Sequence, residues 1–309
     1  MRTITCNLCG SLDQRLLCTG YDRDNPQNRR TYSLQQCPGC GLVYLSPRPD
    51  TPEELAEIYP PTYDSYMGER QRFLLWMRRI AWRPELREIL ARTTPDSAIL
   101  ELGSATGEFL AELRRRGRSR LLGLELSAEA ARIARERHGL DVRAGQLDDV
   151  TLSANSFDMV LLRHVLEHLP DPRETLTSIA RLLRPGGYCI FTIPNIDSHT
   201  ARIFGRDWYG YQFPRHFYLF PRHTLHRLLD VAGLRVERVV HQATPNVWIG
   251  SARFWLAARG HTALARFVRY HNPLVVAAFA PLGFISALMR SSGVIRVITR
   301  RPVCGGSPQ

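Results

Sequence analysis

The fold is decided by the stretch Ala98-Ile-Leu-Glu101-Leu-Gly103-Ser-Ala-Thr-Gly107, which runs on into Glu-Phe-Leu. A short apolar strand delivers an acidic residue, and a loop with two glycines then opens a helix. Gly103 permits a tight turn and a close approach of the backbone to a ligand, whereas Gly107 lets the helix begin close to the strand. The stretch therefore predicts a strand, a ligand-binding loop and a helix, in that order.

Strand-like and helix-like segments alternate along the chain from residue 97 onward. Strict alternation predicts a parallel sheet with helices on both faces, so we expect a Rossmann-like, doubly wound α/β sheet of seven strands. The last strand, Val294 to Thr299, should close this sheet. The predicted strands are 98–101, 121–125, 141–144, 157–163, 187–193, 234–241 and 294–299, and the predicted helices are 106–116, 127–138, 173–184 and 222–232.

Two acidic residues at strand ends, Glu101 and Glu125, indicate what the loop binds. Its G-x-x-x-G spacing differs from the G-x-G-x-x-G of dinucleotide-binding loops, in which a bare helix N-terminus holds a pyrophosphate. Glu101 can instead bind an ammonium group while the loop amides face a carboxylate, and Glu125 can accept hydrogen bonds from both ribose hydroxyls. S-adenosylmethionine presents all of these groups. The alternative is a nucleotide-binding or inactive domain of the same fold.

Further predicted cofactor contacts follow the third and fourth strands. Gln146 can hydrogen-bond the adenine ring, and Leu147 can pack on its face. The complete set of predicted cofactor-binding residues is Glu101, Gly103, Ser104, Ala105, Gly107, Glu125, Leu126, Gln146, Leu147 and Arg163.

Histidines downstream are the candidates for catalysis. A methyl group is transferred in line from a sulfonium, and a hydroxyl acceptor must also lose a proton. His164, Glu167 and His168 would share one face of a helix, with His164 nearest the methyl group. The alternative for His168 is a structural role that ties down its loop.

An aromatic cluster, Trp208 to Tyr218, is predicted to form a substrate wall at the carboxyl edge of the sheet. Together with Arg215, it would suit a sugar, nucleotide-sugar or lipid-phosphate acceptor. His216 is the leading candidate for general base, since an imidazole can titrate near neutral pH. The alternative is that His216 hydrogen-bonds across the pocket floor and that the aromatic side chains are core.

Two C-x-x-C pairs near the N-terminus predict a metal site. Cys6 and Cys9 form one pair, Cys37 and Cys40 the other, and each pair is followed by a glycine. Four thiolates in this arrangement suit a closed, structural Zn²⁺ site without a catalytic role. The alternatives are a redox dithiol and reduced structural cysteines. No secretory signal is visible, so a cytoplasmic location is expected.

These features divide the chain into a zinc-ribbon-like module (1–47), a linker and helical lid (48–92), a cofactor-binding core (93–243), a helical insertion (244–292) and a last strand with a tail (293–309). The helix over 70–92 covers either the edge of the core or the cofactor. In the insertion, Pro273 to Met289 is apolar but is interrupted by Pro281 and Gly283. We interpret it as a substrate cap. Shallow membrane association, favoured by flanking arginines, is the alternative.

The formal net charge is +12, and all 41 basic residues are arginine. A basic chain can bind nucleic acid or anionic membranes. An arginine-only composition is also typical of a GC-rich genome. The charges are dispersed rather than gathered in an arm, so a nucleic-acid partner is not favoured.

Residues 97–240 resemble class I S-adenosylmethionine-dependent methyltransferases, in the group that includes ubiquinone-biosynthesis O-methyltransferases. The stretches that carry the resemblance are LELGSATGEFL, LLGLELS, SFDMVLLRHVLEHLPDP, LLRPGGYCIFTIPN and FPRHFYLFPRHTLHRLLDVAGL. The segment CNLCG…CPGCGLVYLSPRP resembles zinc-ribbon methyltransferases of bacterial cell-surface polysaccharide and sugar modification. The chain departs from the family at Gln146, where an Asp is frequent.

The resemblance also implies a divalent metal site in the ubiquinone-type relatives, which maps here to His164, Glu167, His168 and Asn195. It implies methylation, with O-methylation expected, of a small molecule, a sugar or a glycan or lipid-linked acceptor. One alternative is an RNA methyltransferase that grips nucleic acid with its zinc module, although the motif of base N-methylation is missing around Ile193-Pro194-Asn195. The other is a non-catalytic cofactor-binding or zinc scaffold protein.

Overall fold

The computed structural model describes residues 1–25, 27–58 and 72–303, so the linker segment 59–71 and the tail 304–309 lie outside the described residues. The strands are β1 Arg15–Tyr21, β2 Thr31–Gln36, β3 Val43–Leu45, β4 Ile99–Leu102, β5 Leu121–Glu125, β6 Asp141–Ala144, β7 Phe157–Arg163, β8 Leu183–Pro194, β9 Tyr218–Leu219, β10 Arg235–His241 and β11 Val294–Arg300. The α-helices are α1 Pro52–Ile58, α2 Arg72–Leu90, α3 Glu108–Arg115, α4 Ala128–His138, α5 Pro172–Leu182, α6 His199–Phe204, α7 Arg222–Val231, α8 Asn246–Ala258, α9 Thr262–Phe267 and α10 Pro273–Leu288.

Seven strands form the main sheet in the order β10-β11-β8-β7-β4-β5-β6. The five strands from β8 to β6 run parallel to one another, as alternation predicts. The predicted seven-stranded, Rossmann-like sheet is confirmed, but it is mixed rather than wholly parallel, since β11 is antiparallel to both of its neighbours. Because the chain leaves β10 at the carboxyl edge and enters β11 from that same edge, no crossover turns β11 into the parallel direction.

The helices begin and end where local chemistry allows. Ser127 caps α4 by accepting a hydrogen bond from the amide of Ala130, and Gly139 ends the helix in the left-handed conformation. Asp171 caps α5 in the same way, with Pro172 at the first helical position. Their apolar faces pack on the sheet, whose central strand β4 is buried along its whole length.

A second, four-stranded antiparallel sheet joins the N-terminal segment to the later chain. Its order is β1-β2-β3-β9, and Val43 and Tyr44 pair with Leu219 and Tyr218. Leu34 and Tyr44 belong to the same buried cluster as side chains from the main sheet and the 208–229 region. The cysteine-bearing segment is therefore packed into the rest of the protein through a shared sheet and a shared core.

The segment between β10 and β11 folds as the helices α8, α9 and α10. β10 and β8 run in the same direction, because β11 is antiparallel to each of them. The three helices consequently follow β10 at the carboxyl edge of the sheet, the edge at which β7 also ends. Among the described residues, no helix combines the length and the apolar character needed to cross a membrane.

Candidate cofactor and methyl-acceptor site

The glycine loop after β4 adopts the backbone that its residues predict. Gly103 and Gly107 have φ of +68° and +82°, and Ala105 between them has φ of +48°. The amides of Gly103 and Ser104 donate to the carbonyl of Leu124, with N–O distances of 2.8 and 3.1 Å. The loop is thereby folded back over the ends of β4 and β5, with its backbone at the predicted ligand position.

The loop also lies directly against the segment that follows β7. A Cβ atom on Gly103 would be only 2.4 Å from Cγ2 of Val165, which is shorter than any real carbon–carbon contact. This approach was not predictable from the spacing of either motif. It brings the cofactor loop and the histidine segment together on one side of the site.

Glu101 is the more deeply buried of the two acidic residues at the predicted cofactor site. Its side chain is 1% exposed, and its Oε2 has no hydrogen-bond partner among the described residues. Burial raises the pKa of this carboxyl to about 8, although the guanidinium of Arg163 opposes the shift from 3.8 Å away. A buried oxygen without a donor is costly. The ammonium of an amino-acid moiety would supply the missing donor, so the site fits S-adenosylmethionine.

Arg163, a predicted cofactor contact, is held beneath this carboxylate. Its guanidinium carbon lies 3.9 Å from the centre of the Phe109 ring and 4.9 Å from that of Trp82. The stacked cation is fixed by rings from α3 and α2. The helix α2 therefore packs against the sheet, and its Trp82 helps to hold Arg163 where the guanidinium can pair with the Glu101 carboxylate.

Glu125 ties the second strand end to the glycine loop. Its Oε2 accepts a hydrogen bond from the amide of Ala105 at 2.8 Å, and its Oε1 accepts one from Ser127 at 2.9 Å. Burial raises the pKa of Glu125, and these backbone donors oppose the rise. Each carboxylate oxygen can accept more than one hydrogen bond, so Glu125 both shapes the loop and retains capacity for ribose hydroxyls.

The segment assigned to adenine lies beside Glu125. The amide of Gly145 donates to the carbonyl of Glu125 at 2.9 Å. Gln146 is exposed, and Leu147 is half-buried against the core. Leu126 is 63% exposed. Ser104, in contrast, is buried, and its Oγ has no partner among the described residues.

His164 stands at the end of β7 in a strained backbone conformation. Its φ is +57°, a region that side-chain-bearing residues rarely occupy. Its side chain is 52% exposed, while Nδ1 lies 3.3 Å from Oε1 of the fully buried Glu167. Burial alone would raise the pKa of Glu167, but the hydrogen bond from His164 and the nearby imidazoles outweigh it and lower that pKa.

His216 does not occupy the position expected of a general base. It is buried, its Nδ1 is 2.7 Å from the carbonyl oxygen of Gly210, and burial lowers its pKa to about 3. His168 is hydrogen-bonded through Nδ1 to the carbonyl of Arg215 at 2.9 Å, and burial lowers its pKa as well. An imidazole that resists protonation is a poor acceptor for a substrate proton near neutral pH.

Most of the aromatic cluster is core, and Tyr209 and Tyr211 are half-buried. Trp208, Phe217 and Tyr218 are buried, and Nε1 of Trp208 donates to Oγ1 of Thr200. Arg215 is also buried and makes a two-pronged ion pair with Asp22 at 3.0 Å for each contact. The prediction of an acceptor-binding arginine in an aromatic wall was therefore wrong, because these side chains join the N-terminal sheet to the core.

The metal set that the resemblance implies is not assembled as a group. Asn195 donates through Nδ2 to the carbonyl of Ser292 and accepts at Oδ1 from the amide of Asp197. The residues whose ligand atoms do come within 4.8 Å of one another are Glu167, His168 and His216. His216 lies 48 positions beyond His168, so no local spacing in the sequence could pair them.

The four N-terminal cysteines converge. The sulfurs of Cys6 and Cys40 are 3.4 Å apart, those of Cys9 and Cys37 are 3.5 Å apart, and all four lie within 4.8 Å of one another. Four thiolates at such separations can surround one ion tetrahedrally. The donor set fits Zn²⁺, and the cluster suggests a structural metal.

The cysteine cluster is connected to the histidine segment by backbone contacts. Oγ1 of Thr224 donates to the carbonyl of Cys40 at 2.8 Å. Leu45 donates to the carbonyl of Phe217, and Phe217 donates to that of Glu167, both at 2.8 Å. Two backbone hydrogen bonds, both made by Phe217, therefore connect the N-terminal sheet to Glu167.

Residues 70–239 match the family described as a methyltransferase domain. The chain belongs to this methyltransferase family. It is 30% identical to a ubiquinone biosynthesis O-methyltransferase of Bordetella avium (strain 197N), over 44% of this chain and 58% of the relative. It is 28% identical to the O-methyltransferase cnsE of Penicillium expansum, over 47% of this chain and 59% of the relative. The chain thus spans less than two thirds of the length of either relative.

Solved structures show the same fold. One such structure is the complex between the Haloferax volcanii Trm112 methyltransferase activator and a methyltransferase. The matching chain of that complex is 20% identical to the present protein, with a TM-score of 0.52, and the match covers 76% of the present protein and all of that chain. An S-adenosylmethionine-dependent methyltransferase from Thermotoga maritima is 19% identical, with a TM-score of 0.50 over 80% and 99% of the two chains. The Rossmann-like fold of S-adenosylmethionine-dependent methyltransferases is therefore confirmed.

Replacing Gly103 with alanine should damage the site more than its backbone conformation alone explains. Gly117 is the matched control, since its φ is +82° but a Cβ there would meet nothing within 4 Å. We expect Gly117→Ala to lower the free energy of unfolding by about 1 kcal/mol and Gly103→Ala by about 2 kcal/mol more, because of the clash with Val165. Denaturant titration measures both. Equal losses would contradict the close approach.

Glu101→Gln should stabilise the ligand-free protein at high pH. The folded-state pKa of Glu101 is raised from 4.5 to about 8, so wild-type stability is lost as pH rises between these values. Gln removes that penalty, so we expect a Tm several degrees above wild type at a pH of about 9 and a smaller difference at a pH of about 5. The control is Glu129→Gln, a substitution at an exposed position of α4. A lower Tm for Glu101→Gln at high pH would argue against a buried, unpaired carboxylate.

Removing the metal should destabilise the whole chain, because the cysteine cluster shares its sheet and core with the catalytic region. Elemental analysis should find about one zinc per chain. Chelation or Cys37→Ser should lower the Tm by more than about 5 °C in a single transition. Cys18→Ser, outside the cluster, should retain the zinc. Purified protein free of zinc with an unchanged Tm would exclude a structural metal.

Proposed function

We propose that the protein is an S-adenosylmethionine-dependent O-methyltransferase with His164 as its general base. The observation that carries the proposal is the buried, partnerless oxygen of Glu101 beside a glycine loop that Val165 joins to the histidine segment. A cofactor ammonium would give the Glu101 oxygen its missing hydrogen-bond donor. The reacting centre of the cofactor would then lie beside the histidine segment. The chain's membership of the methyltransferase family supports the reaction class.

Glu101, the loop from Gly103 to Gly107 and Glu125 would hold the cofactor. When bound, S-adenosylmethionine supplies an electrophilic methyl group on a sulfonium sulfur. Glu101 would bind the ammonium and Glu125 would accept the ribose hydroxyls, whereas the amides of Gly103, Ser104 and Ala105 already donate hydrogen bonds within the protein. These residues lie at the ends of β4 and β5, and β4 is the parallel neighbour of β7, the strand that His164 follows.

His164 would take the proton of the acceptor hydroxyl. Its Nδ1 faces the Glu167 carboxylate, so the hydrogen on Nδ1 is donated there and Nε2 carries the lone pair. Nε2 would accept the proton that the acceptor hydroxyl loses when the methyl group is transferred. Buried Glu167, whose pKa is lowered, fixes this tautomer and stabilises the imidazolium that results.

We further propose that the acceptor is a small molecule, a sugar or a glycan or lipid-linked compound. The similar proteins from Bordetella avium and Penicillium expansum carry names of O-methyltransferases, which supports a hydroxyl acceptor. The net charge of +12 is the observation that would favour RNA instead.

Incubation with labelled S-adenosylmethionine tests the acceptor class. The panel is nucleotide sugars, lipid-linked glycans, quinone precursors and transfer RNA. Label on a hydroxyl of one of the first three classes is the expected result. Label confined to RNA, or failure to bind S-adenosylmethionine and its demethylated product, would overturn the proposal.

Once an acceptor is known, His164→Asn should lower kcat by about 10²- to 10⁴-fold, the contribution of a general base. The affinity for S-adenosylmethionine should stay within about twofold, because His164 touches the acceptor side. Glu167→Gln should lower kcat about 10- to 100-fold and alter the limb of the pH–rate profile that rises with pH, which a purely structural residue would not do. His226→Asn on α7 is the control. An unchanged pH–rate profile in both His164→Asn and Glu167→Gln would rule out the dyad.

A further inference from the structure

The insertion exposes several large apolar side chains. We define the insertion surface as the exposed side chains Leu264, Phe267, Leu274, Phe284, Ile285 and Leu288 of α9 and α10. Leu274 and Leu288, at opposite ends of α10, are 73% and 69% exposed. The only polar side chain in α10 belongs to Ser286, which is buried. A helix that is apolar all round is ordinarily covered on every side.

The other face of α10 is firmly seated, so the exposed face is fixed in its outward orientation. Oγ of Ser286 accepts a hydrogen bond from Nε1 of Trp248 at 3.0 Å. A Cβ on Gly283 would lie 2.8 Å from the backbone of Thr244. Val275 packs with Ile249 of α8. Rotation of the helix to hide its outer residues would break all of these contacts.

The charge around the insertion surface has a single sign. Glu237 is the last acidic residue of the chain, so 244–292 contains arginines but neither Asp nor Glu. Arg266, Arg269 and Arg290 are exposed next to the apolar side chains in sequence. Exposed apolar side chains accompanied by arginines are complementary to an anionic lipid surface, in which acyl chains lie beneath negative headgroups.

A second copy of the chain fits this surface less well. A symmetric contact would bring the arginines of two insertions together, and no carboxylate of either insertion could pair with them. Like charges brought together at an interface oppose association. Charge therefore favours an anionic membrane over self-association.

The surface also stands where docking would be useful. The helices α8 to α10 connect β10 to β11 at the carboxyl edge of the sheet, the edge at which His164 ends β7. We propose that α9 and α10 dock the protein peripherally on an anionic membrane, with α10 lying in the plane of the interface. Docking would hold the carboxyl edge of the sheet near the headgroups. It does not depend on the reaction proposed above.

Vesicle co-sedimentation tests the docking surface with the full-length protein. We expect it to sediment with vesicles of phosphatidylcholine and phosphatidylglycerol much more than with phosphatidylcholine alone. Raising the salt from about 0.05 M to about 0.5 M should weaken binding through screening. A wild-type protein that stays in the supernatant with anionic vesicles at low salt would overturn the proposal.

Two variants separate the apolar and charged contributions. The triple variant Leu274→Ser, Phe284→Ser, Leu288→Ser should lower partitioning at least tenfold. The triple variant Arg266→Gln, Arg269→Gln, Arg290→Gln should lose the preference for anionic vesicles. The matched control replaces three exposed apolar residues elsewhere, Leu12, Val231 and Val303, with serine and should bind like wild type.

Sedimentation velocity identifies the competing occupant. A wild-type dimer that the apolar triple variant converts to a monomer would assign the surface to a second copy and overturn the proposal. Unchanged vesicle binding by the apolar triple variant would overturn it too. Monomeric wild-type protein, together with loss of vesicle binding in that variant, is the expected result.

Discussion

The burial of one carboxylate, that of Glu101, is the constraint on which the rest of the structure depends. Glu101 belongs to β4, the strand between β5 and β7, where every neighbouring side chain is buried. A charge in this position is unfavourable unless something compensates it. Arg163 compensates part of it, and the remaining unpaired oxygen is the feature that a cationic ligand would complete. The glycine loop lies against this strand end, held by the hydrogen bond from Ala105 to Glu125 and by its close approach to Val165.

The N-terminal sheet is joined to the segment that follows β7. β3 pairs with β9. Arg215, which precedes His216 in the chain, forms a buried ion pair with Asp22. Phe217 bridges this sheet to Glu167. Backbone hydrogen bonds therefore connect the sheet that carries the cysteine cluster to Glu167, whose carboxylate faces Nδ1 of His164. A metal without an open coordination position can still matter for catalysis by fixing such contacts.

Features encoded by neighbouring residues could be predicted from the sequence. The strands from β4 to β8, the glycine loop, the acidic strand ends and the two C-x-x-C pairs all depend on local patterns, and they lie close to where those patterns place them. The antiparallel direction of β11, the partner of Arg215 and the burial of His216 depend on contacts between segments far apart in the chain. Asp22 and Arg215 are an example, since no periodicity relates them. The aromatic stretch was ambiguous for the same reason, because core and substrate wall have the same composition.

Proton release on cofactor binding tests the central role of Glu101 most directly. Calorimetric titration with S-adenosylmethionine near neutral pH, in two buffers of different ionisation enthalpy, measures it. The free carboxyl has a pKa of about 8 and should ionise when it meets an ammonium, so release approaching one proton is predicted for wild type. Glu101→Gln should release none and bind at least tenfold more weakly. Equal affinity and equal proton release in the two proteins would contradict the account.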